Sequence, residues 1–207
     1  MRKLVLVDFD GTLFDIQAFA REMAKIFQDC GGIDFFATFP KNAMGTYSLQ
    51  RHIGLVPTRY KRKRTKRYLR ELFARSPQFL FGDALNFLLL LRQNQQNAVV
   101  LFTRGEREYQ DKKVFQALGA NRNLFDKIMI VEGASKASHI KKISGFYGAK
   151  RIFFVDDSPQ ELIDAKIAAP DIVTILVDRY QRRGHCSSED FSVGNLAEAI
   201  KIIRHDE

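Results

Sequence analysis

The feature that most constrains the fold is a series of five short apolar runs, separated by segments with helical periodicity. The runs are residues 4–9, 98–103, 127–131, 151–155 and 172–177. Strands that are apolar at nearly every position are typical of a parallel sheet whose two faces are both covered, because neither face meets water. The alternation of such strands with helices predicts an α/β fold with an open parallel sheet flanked by helices.

Residues 15–80 interrupt this alternation, because they contain helix-like stretches but no convincing buried strand. The simplest interpretation is a small α-helical cap inserted after the first strand. We therefore expect a Rossmann-like core of residues 1–14 and 81–207 and a helical cap of residues 15–80. The expected helices are residues 15–28, 58–74, 83–92, 106–118, 135–143, 159–168 and 195–203, and residues 178–190 have the composition of a loop. In the helix at 106–118, Val114, Phe115 and Leu118 should share the buried side, and Ser158 is the expected N-cap of the helix at 159–168.

Composition excludes several classes of protein. With 207 residues, of which 45% are hydrophobic, the chain can bury a core without a disulfide or structural metal. Cys30 and Cys186 are too few for a disulfide framework or a four-ligand zinc site and fit a reducing compartment. The longest strongly apolar run, residues 87–91, is too short to span a bilayer, and the N-terminal run lacks the form of a signal peptide. We expect a soluble cytoplasmic protein without membrane association, and nothing indicates an obligate protein partner.

The net charge of +9 is concentrated in one segment. Between Arg59 and Arg70 there are eight basic residues and no acidic one, which leaves +1 for the rest of the chain. The segment could bind a polyanion, since clustered Lys and Arg displace counterions from phosphates. The sequence admits nucleic acid as a partner here but does not favour it. The other interpretation is an exposed helix face whose buried side would hold Tyr60, Tyr68, Leu69, Leu72 and Phe73.

Acidic residues follow two of the predicted strands. Asp8 and Asp10 come at the end of the first strand, Asp156 and Asp157 follow the fourth, and Thr103 closes the second. Because the carboxyl ends of parallel strands meet at one edge of a sheet, four carboxylates should lie close together there. Such crowding is costly without a cation, and oxygen ligands favour Mg²⁺. The alternative to a metal site is that these Asp residues only form turns or cap helices. Two acidic pairs at the ends of neighbouring strands argue against that alternative.

These motifs together resemble the haloacid dehalogenase-like (HAD) hydrolase superfamily, in its phosphatase branch with a helical cap after the first strand. The matching parts are DFDGT at residues 8–12, the hydroxyl of Thr103, a downstream lysine, and VDDSPQE at residues 155–161. The resemblance implies a Mg²⁺-dependent phosphomonoester hydrolase that acts through an aspartyl-phosphate on a small phosphorylated metabolite or nucleotide. A phosphotransferase or phosphomutase would use the same residues, and a polyanion-binding module on the same scaffold is the alternative of another class.

The resemblance also implies roles for the first two acidic residues. Asp8 would be the nucleophile that attacks phosphorus, and Asp10 would protonate the leaving group and then activate water. Residues two apart in an extended chain share a side, so both carboxylates can face one phosphate. A carboxylic acid at position 10 suits a phosphatase and argues against a dehalogenase.

The substrate phosphate would be bound by residues from three motifs. The resemblance assigns this role to the Thr103 hydroxyl, the backbone N–H groups of Phe9, Arg104 and Gly105, and the side chain of Lys136. Lys136 fits the catalytic lysine best because it opens the helix that follows the third strand. The competing lysines lie further along that helix (Lys141 and Lys142) or at the wrong end of the strand (Lys127).

The expected metal ligands are Asp8, the backbone carbonyl of Asp10, and the acidic pair at positions 156 and 157. The resemblance aligns Asp157 with the usual acidic ligand. Asp156 would bind either directly or through water, so which member of the pair contacts Mg²⁺ stays open.

Overall fold

The chain is described by a computed structural model that covers residues 3–42, 45–133, 135–180 and 189–205. Its centre is a six-stranded sheet in the order β3-β2-β1-β4-β5-β6, with every neighbouring pair parallel. The strands are β1 (Lys3–Val7), β2 (Ala98–Arg104), β3 (Lys127–Val131), β4 (Arg151–Asp156), β5 (Val173–Val177) and β6 (Phe191–Val193). The predicted α/β fold is confirmed.

Helices connect the strands and flank the sheet. They are α1 (Ile16–Ile26), α2 (Leu49–Leu55), α3 (Arg59–Ala74), α4 (Ala84–Arg92), α5 (Arg107–Leu118), α6 (Ala137–Tyr147), α7 (Pro159–Ala168) and α8 (Leu196–His205). A π-helical turn, Phe27–Gly31, extends α1. None of the helices in the described ranges is long and apolar enough to cross a membrane. Of the loop predicted at residues 178–190, residues 181–188 lie outside the described residues, as does Cys186.

Alternate residues of the central strands feed two separate cores. Val5 and Val7 of β1 face a core that includes side chains of α4, α5 and α8, whereas Leu4 and Leu6 face a core that includes side chains of α6 and α7. All five residues of β1 are buried. This two-sided burial is the physical reason for the continuous apolar runs in the sequence, because each side of every central strand needs an apolar side chain.

One local expectation was wrong, and a second is met in position but not in its hydrogen bond. Phe115 was expected on the buried side of α5, but its side chain is 51% exposed and the buried side instead carries Gln110, Lys113 and Val114. Ser158 precedes α7 as expected, yet its side chain makes no capping hydrogen bond. Its backbone N–H donates instead to Asp156 Oδ1 at 2.8 Å, so that bond ties the start of α7 to the end of β4.

The helices α1, α2 and α3 lie between β1 and α4 in the chain, in the segment predicted to form a cap. Asp15 caps α1 by accepting a hydrogen bond from the backbone N–H of Ala18 at 2.9 Å. The apolar side of α3 packs against α1 and α5 and buries Leu69, Leu72 and Phe73. Tyr60 was expected on that buried side, but it is 75% exposed.

His52 is fully buried at the centre of an aromatic cluster in this segment. Its ring stacks on Phe27 and Phe35, with ring centroids 4.1 and 4.8 Å away. The Thr38 hydroxyl donates to the carbonyl of Asp34, so Nε2 of His52 donates to Thr38 Oγ1 at 2.9 Å. Nδ1 is then the acceptor, 3.1 Å from the hydroxyl of Tyr47. The cluster therefore fits a neutral imidazole, and burial lowers the pKa of His52 to about 4.

We predict that His52 makes the protein acid-sensitive. An ordinary histidine has a pKa of about 6.5. Between about pH 6.5 and pH 4, His52 is therefore protonated in the unfolded chain and neutral in the folded chain. Stability is therefore lost as the pH falls through this window, by about 2 kcal/mol between pH 7 and pH 5. Urea unfolding at both pH values should show this loss in the wild type and in His205→Gln, an exposed control. His52→Gln should lose less free energy of unfolding between the two pH values. An equal loss in all three proteins would show that His52 is not the source of the acid sensitivity.

Candidate active site

The register of the sheet brings three of the four predicted carboxylates together, those of Asp8, Asp156 and Asp157. Val7 of β1 lies opposite Val155 of β4, so the next residues, Asp8 and Asp156, stand side by side at the carboxyl edge. Asp8 and Asp156 are both buried. Asp157 follows directly and is more exposed, and one carboxylate oxygen from each of the three residues lies within 4.8 Å of the others.

Lys136 is the lysine that reaches this cluster. It immediately precedes α6 and is 3% exposed. Its Nζ donates to Asp8 Oδ1 and, at 2.7 Å, to Asp156 Oδ2. Although burial alone would lower the pKa of Lys136, Asp156 and Asp8 outweigh burial and raise it, so the side chain stays protonated. The competing lysines on α6 and at the start of β3 are exposed.

One lysine does not balance three carboxylates. Burial raises the pKa of Asp8 well above its ordinary value, the charges of Asp156 and Asp157 raise it further, and Lys136 only partly opposes this. Loss of solvation and the charge of Asp156 likewise raise the pKa of Asp157 to about 7. Three carboxylates beside one lysine therefore cannot all stay ionised without a further cation, and the oxygens that they offer are hard donors. These are the properties of a site for a hard divalent cation, so the residues fit Mg²⁺.

Asp10 is held separately from that cluster by two residues of α5. Lys113 Nζ donates to Asp10 Oδ2 at 2.6 Å, and Gln110 Nε2 donates to the same oxygen at 2.8 Å. Lys113 is fully buried, with its Nζ 4.8 Å from the ring centroid of Tyr109. The other oxygen, Asp10 Oδ1, is buried without a hydrogen-bond partner in the described part of the chain. The two oxygens of Asp10 therefore have different surroundings, one held by α5 and the other without a described protein partner.

Gln110 also connects Asp10 to the end of β2. Its Nε2 lies 3.2 Å from Thr103 Oγ1 and donates to the carbonyl of Arg104 at 2.9 Å. A Cβ on Gly105 would lie 2.7 Å from Gln110 Cγ, so the absence of a side chain at position 105 allows this close approach. As the Thr103 oxygen accepts from Gln110, its own proton can be donated elsewhere.

The sequence did not point to Gln110 or Lys113. The apolar pattern of α5 predicts a buried side that includes Phe115, which is exposed, and that pattern gives no weight to polar residues at positions 110 and 113. The sequence of α5 nevertheless indicates their burial. Gln110 and Lys113 are three positions apart, and Val114 and Ala117 extend the same buried side of the helix. A lysine within an otherwise apolar helix face is rarely buried without an acidic partner.

The other residues predicted to bind phosphate, Phe9, Arg104 and Gly105, lie at the site but differ in their contacts. Phe9 is buried at the site, where its ring stacks on that of Phe14 with centroids 5.0 Å apart. Arg104 forms an ion pair with Glu161 at 3.2 Å, and Glu161 accepts from the backbone N–H of Lys136 at 3.3 Å. The N–H of Gly105, expected to bind phosphate, donates to the carbonyl of Val131 at 3.0 Å and is already used.

A cavity of about 320 Å³ opens beside Asp10. Its polar end holds Asp10, Arg104, Gln110 and Lys113, and most of its other walls are apolar or aromatic. Those walls come from the inserted segment and from α5, and they include Ile16, Met23, Phe35, Phe39, Tyr47 and Tyr109. The arrangement can accommodate an apolar or aromatic group beside the carboxyl group of Asp10.

Solved structures with a similar fold were found over nearly the whole chain. A protein described as a HAD-hydrolase, YfnB from Bacillus subtilis bound to magnesium, is 13% identical over 98% of both chains, with a TM-score of 0.68. The L-2-haloacid dehalogenase of Xanthobacter autotrophicus is 16% identical over 100% of both chains, with a TM-score of 0.66. A predicted phosphoglycolate phosphatase from Haemophilus somnus is 20% identical over 98% of both chains, with a TM-score of 0.64.

The chain therefore has the fold of the haloacid dehalogenase-like hydrolases, which includes both dehalogenases and phosphatases. Neither a sequence-family model nor a curated protein sequence matches it. The identities of these neighbours show the fold alone, so the chemistry has to be argued from the residues of this site.

We predict that Gly11 is required for the position of Asp157. Its φ of +84° is unfavourable for other residues, and an added Cβ would lie 2.1 Å from Asp157 Oδ2. Gly11→Ala should therefore lower the free energy of unfolding by about 1–3 kcal/mol in urea denaturation. The matched control is Gly145→Ala within α6, where an added Cβ meets nothing within 4 Å. The control should be neutral or slightly stabilising, and equal destabilisation by both changes would contradict the prediction.

Proposed function

We propose that the protein is a Mg²⁺-dependent phosphomonoester hydrolase that forms an aspartyl-phosphate on Asp8 and acts on a small phosphorylated metabolite or nucleotide. One observation carries the proposal. Asp8 is gathered with Asp156, Asp157 and Lys136, whereas Asp10 is held two residues away by a different lysine and faces a cavity. The two carboxylates thus have separate environments, as a nucleophile and a general acid require.

In the first step, a carboxylate oxygen of Asp8 attacks phosphorus and the bond to the leaving oxygen breaks. Asp10 donates its proton to that oxygen, so the alcohol leaves neutral and Asp10 becomes a carboxylate. Lys136 orients Asp8 through its hydrogen bond to Oδ1. Thr103 donates its hydroxyl proton to a phosphoryl oxygen.

In the second step, water attacks the phosphorus of the aspartyl-phosphate and inorganic phosphate leaves. Asp10, now ionised, accepts the proton of that water, which regenerates both carboxyl groups. Lys113 and Gln110 hold Asp10 Oδ2 throughout and leave Oδ1 for the transferred proton. Replacing water by another hydroxyl would make the same site a phosphotransferase or phosphomutase.

The Mg²⁺ would be held by Asp8, Asp156 or Asp157, and the backbone carbonyl of Asp10. When bound, it supplies positive charge that offsets the repulsion between the Asp8 carboxylate and the phosphoryl oxygens. The acidic donors that this requires are present within 4.8 Å of one another. We also propose that residues 15–80 act as the cap, because they contribute most of the apolar cavity wall that faces the leaving group.

Asp8→Asn should abolish phosphate release. With Mg²⁺ and p-nitrophenyl phosphate, followed by a panel of metabolite and nucleotide monophosphates, we expect a loss of about 10³-fold or more, because the nucleophile is removed. The control is Asp171→Asn, which is exposed and precedes β5 at the opposite edge of the sheet. It should retain full activity.

Three outcomes of this screen would separate the alternatives. No turnover of any phosphomonoester by the wild type would contradict the proposal, as would undiminished release by Asp8→Asn. Chloride release from a 2-haloacid in place of phosphate release would instead identify a dehalogenase. Transfer of the phosphoryl group to an added alcohol at the expense of free phosphate would identify a phosphotransferase.

Lys113→Met should impair the reaction according to the leaving group. Loss of the buried ammonium leaves Asp10 Oδ2 with Gln110 alone in the described part of the chain, so the acid is less well positioned. We expect kcat to fall about 10–100-fold for an alkyl phosphate, whose leaving oxygen needs the proton, with KM little changed. For p-nitrophenyl phosphate, a good leaving group, the loss should be smaller.

The matched control is Lys112→Met, the adjacent and exposed lysine of α5. It should leave kcat for both substrates near the wild-type value. Equal losses for alkyl and nitrophenyl phosphates in Lys113→Met would show that Lys113 does not act through the proton of Asp10.

A further inference from the structure

The basic residues of α3 form an exposed and almost unpaired surface. All eight of them between positions 59 and 70 are exposed. Among the described residues, Arg67 alone of the eight has an acidic partner, Glu71, at a distance of 3.9 Å. The eight residues, here called the α3 basic surface, are Arg59, Lys61, Arg62, Lys63, Arg64, Lys66, Arg67 and Arg70. It is not needed by the chemistry proposed for Asp8.

The α3 basic surface is electrostatically unfavourable for the isolated helix. Cations at Arg59, Lys61 and Arg62 occupy the first turn, where the helix dipole favours acids and no acidic residue is present. Like charges also stand four residues apart, as in Lys63 with Arg67 and Lys66 with Arg70, and each such pair is destabilising. A bound polyanion would relieve both effects more fully than screening by salt does.

Two tyrosines lie among these cations. Tyr60 is 75% exposed, and Tyr68 lies beside the guanidinium groups of Arg64 and Arg67, with ring-centroid distances of 5.9 and 4.8 Å. Both tyrosines line a groove of about 630 Å³. Its other lining residues are all basic: Lys63, Arg64, Lys66, Arg67 and Arg70. Aromatic rings interleaved with cations are the usual composition of a surface that stacks bases and pairs with phosphates.

We propose that the α3 basic surface binds single-stranded nucleic acid, with phosphates on the Lys and Arg side chains and a base stacked on Tyr60. A single strand is favoured over a duplex because only unpaired bases offer their faces to a tyrosine. A membrane surface fits less well, because the apolar side of α3, with Leu69, Leu72 and Phe73, is buried and cannot insert into lipid.

The test is fluorescence anisotropy with a labelled oligo(dT) about 20 nucleotides long, titrated between about 50 and 200 mM salt. The wild type should bind with an affinity that falls steeply with salt. Lys63→Gln/Arg64→Gln/Lys66→Gln should bind at least about tenfold more weakly at the lowest salt and reduce the slope of log K against log salt by about 2. This variant should also melt at a higher temperature without nucleic acid, which shows that it is folded.

The matched control removes three positive charges from another exposed face, in Lys141→Gln/Lys142→Gln/Lys150→Gln. It should keep the wild-type affinity and salt slope. Tyr60→Ser should weaken oligo(dT) binding about fivefold or more without changing the slope, because it removes stacking and not charge. A duplex of the same length should bind more weakly than the single strand.

Equal weakening by the two triple variants would overturn the proposal, because net charge would then explain the binding. The proposal would also be overturned if Tyr60→Ser bound oligo(dT) like the wild type and the wild type bound duplex equally well. That result would indicate a site for any polyanion. Retention on phosphatidylserine vesicles with no oligo(dT) binding would assign the surface to a membrane. Asp8→Asn should bind oligo(dT) like the wild type, so failure of the proposed catalysis and failure of this proposal are distinguishable.

Discussion

The contact between Lys136 and the two buried carboxylates of Asp8 and Asp156 is the interaction on which the site depends. It joins the ends of β1 and β4 to the start of α6, three parts of the chain that the sheet topology alone places at one edge. Removing a partner from such a buried group would leave an uncompensated charge, which is far more costly than the pair itself is stabilising. Because Asp157 adds a further negative charge, the lysine leaves the cluster acidic and suited to a divalent cation.

A single sequence shows which segments are apolar, so it predicts strands and their order better than it predicts contacts between distant side chains. Strands β1 to β5 were predictable because each is a continuous apolar run, which burial on both faces requires of the inner strands β1, β2, β4 and β5. The meeting of Asp8 with Asp156 followed from parallel topology. The short strand β6 was not predictable, since it has three residues of which two are exposed. The helix pattern can indicate that Lys113 is buried, but its contact with Asp10 was not predictable, because that contact joins residues 103 positions apart and depends on how α5 packs.

The two lysines give neighbouring carboxylates different surroundings. Asp8 lies with two further acids beside Lys136, whereas Asp10 shares its Oδ2 between Lys113 and Gln110 and keeps Oδ1 without a partner among the described residues. Two chemically identical groups only two residues apart can then differ in role, since role is set by surroundings rather than by residue type. This is also why the DFDGT motif by itself is a weaker indication than the motif together with α5.

Helix α5 connects the proposed catalytic site to the α3 basic surface. Gln110 and Lys113 point into the site, while Lys112, the next residue, lines a cavity of about 280 Å³ together with Lys66 and Arg70 of α3. Glu106 and Tyr109 line both this cavity and the one beside Asp10. A phosphate chain held on α3 would thus lie one helix away from the leaving-group cavity. The positive charge of α3 is therefore located where it can select anionic ligands without entering the acidic cluster that is proposed to perform the chemistry.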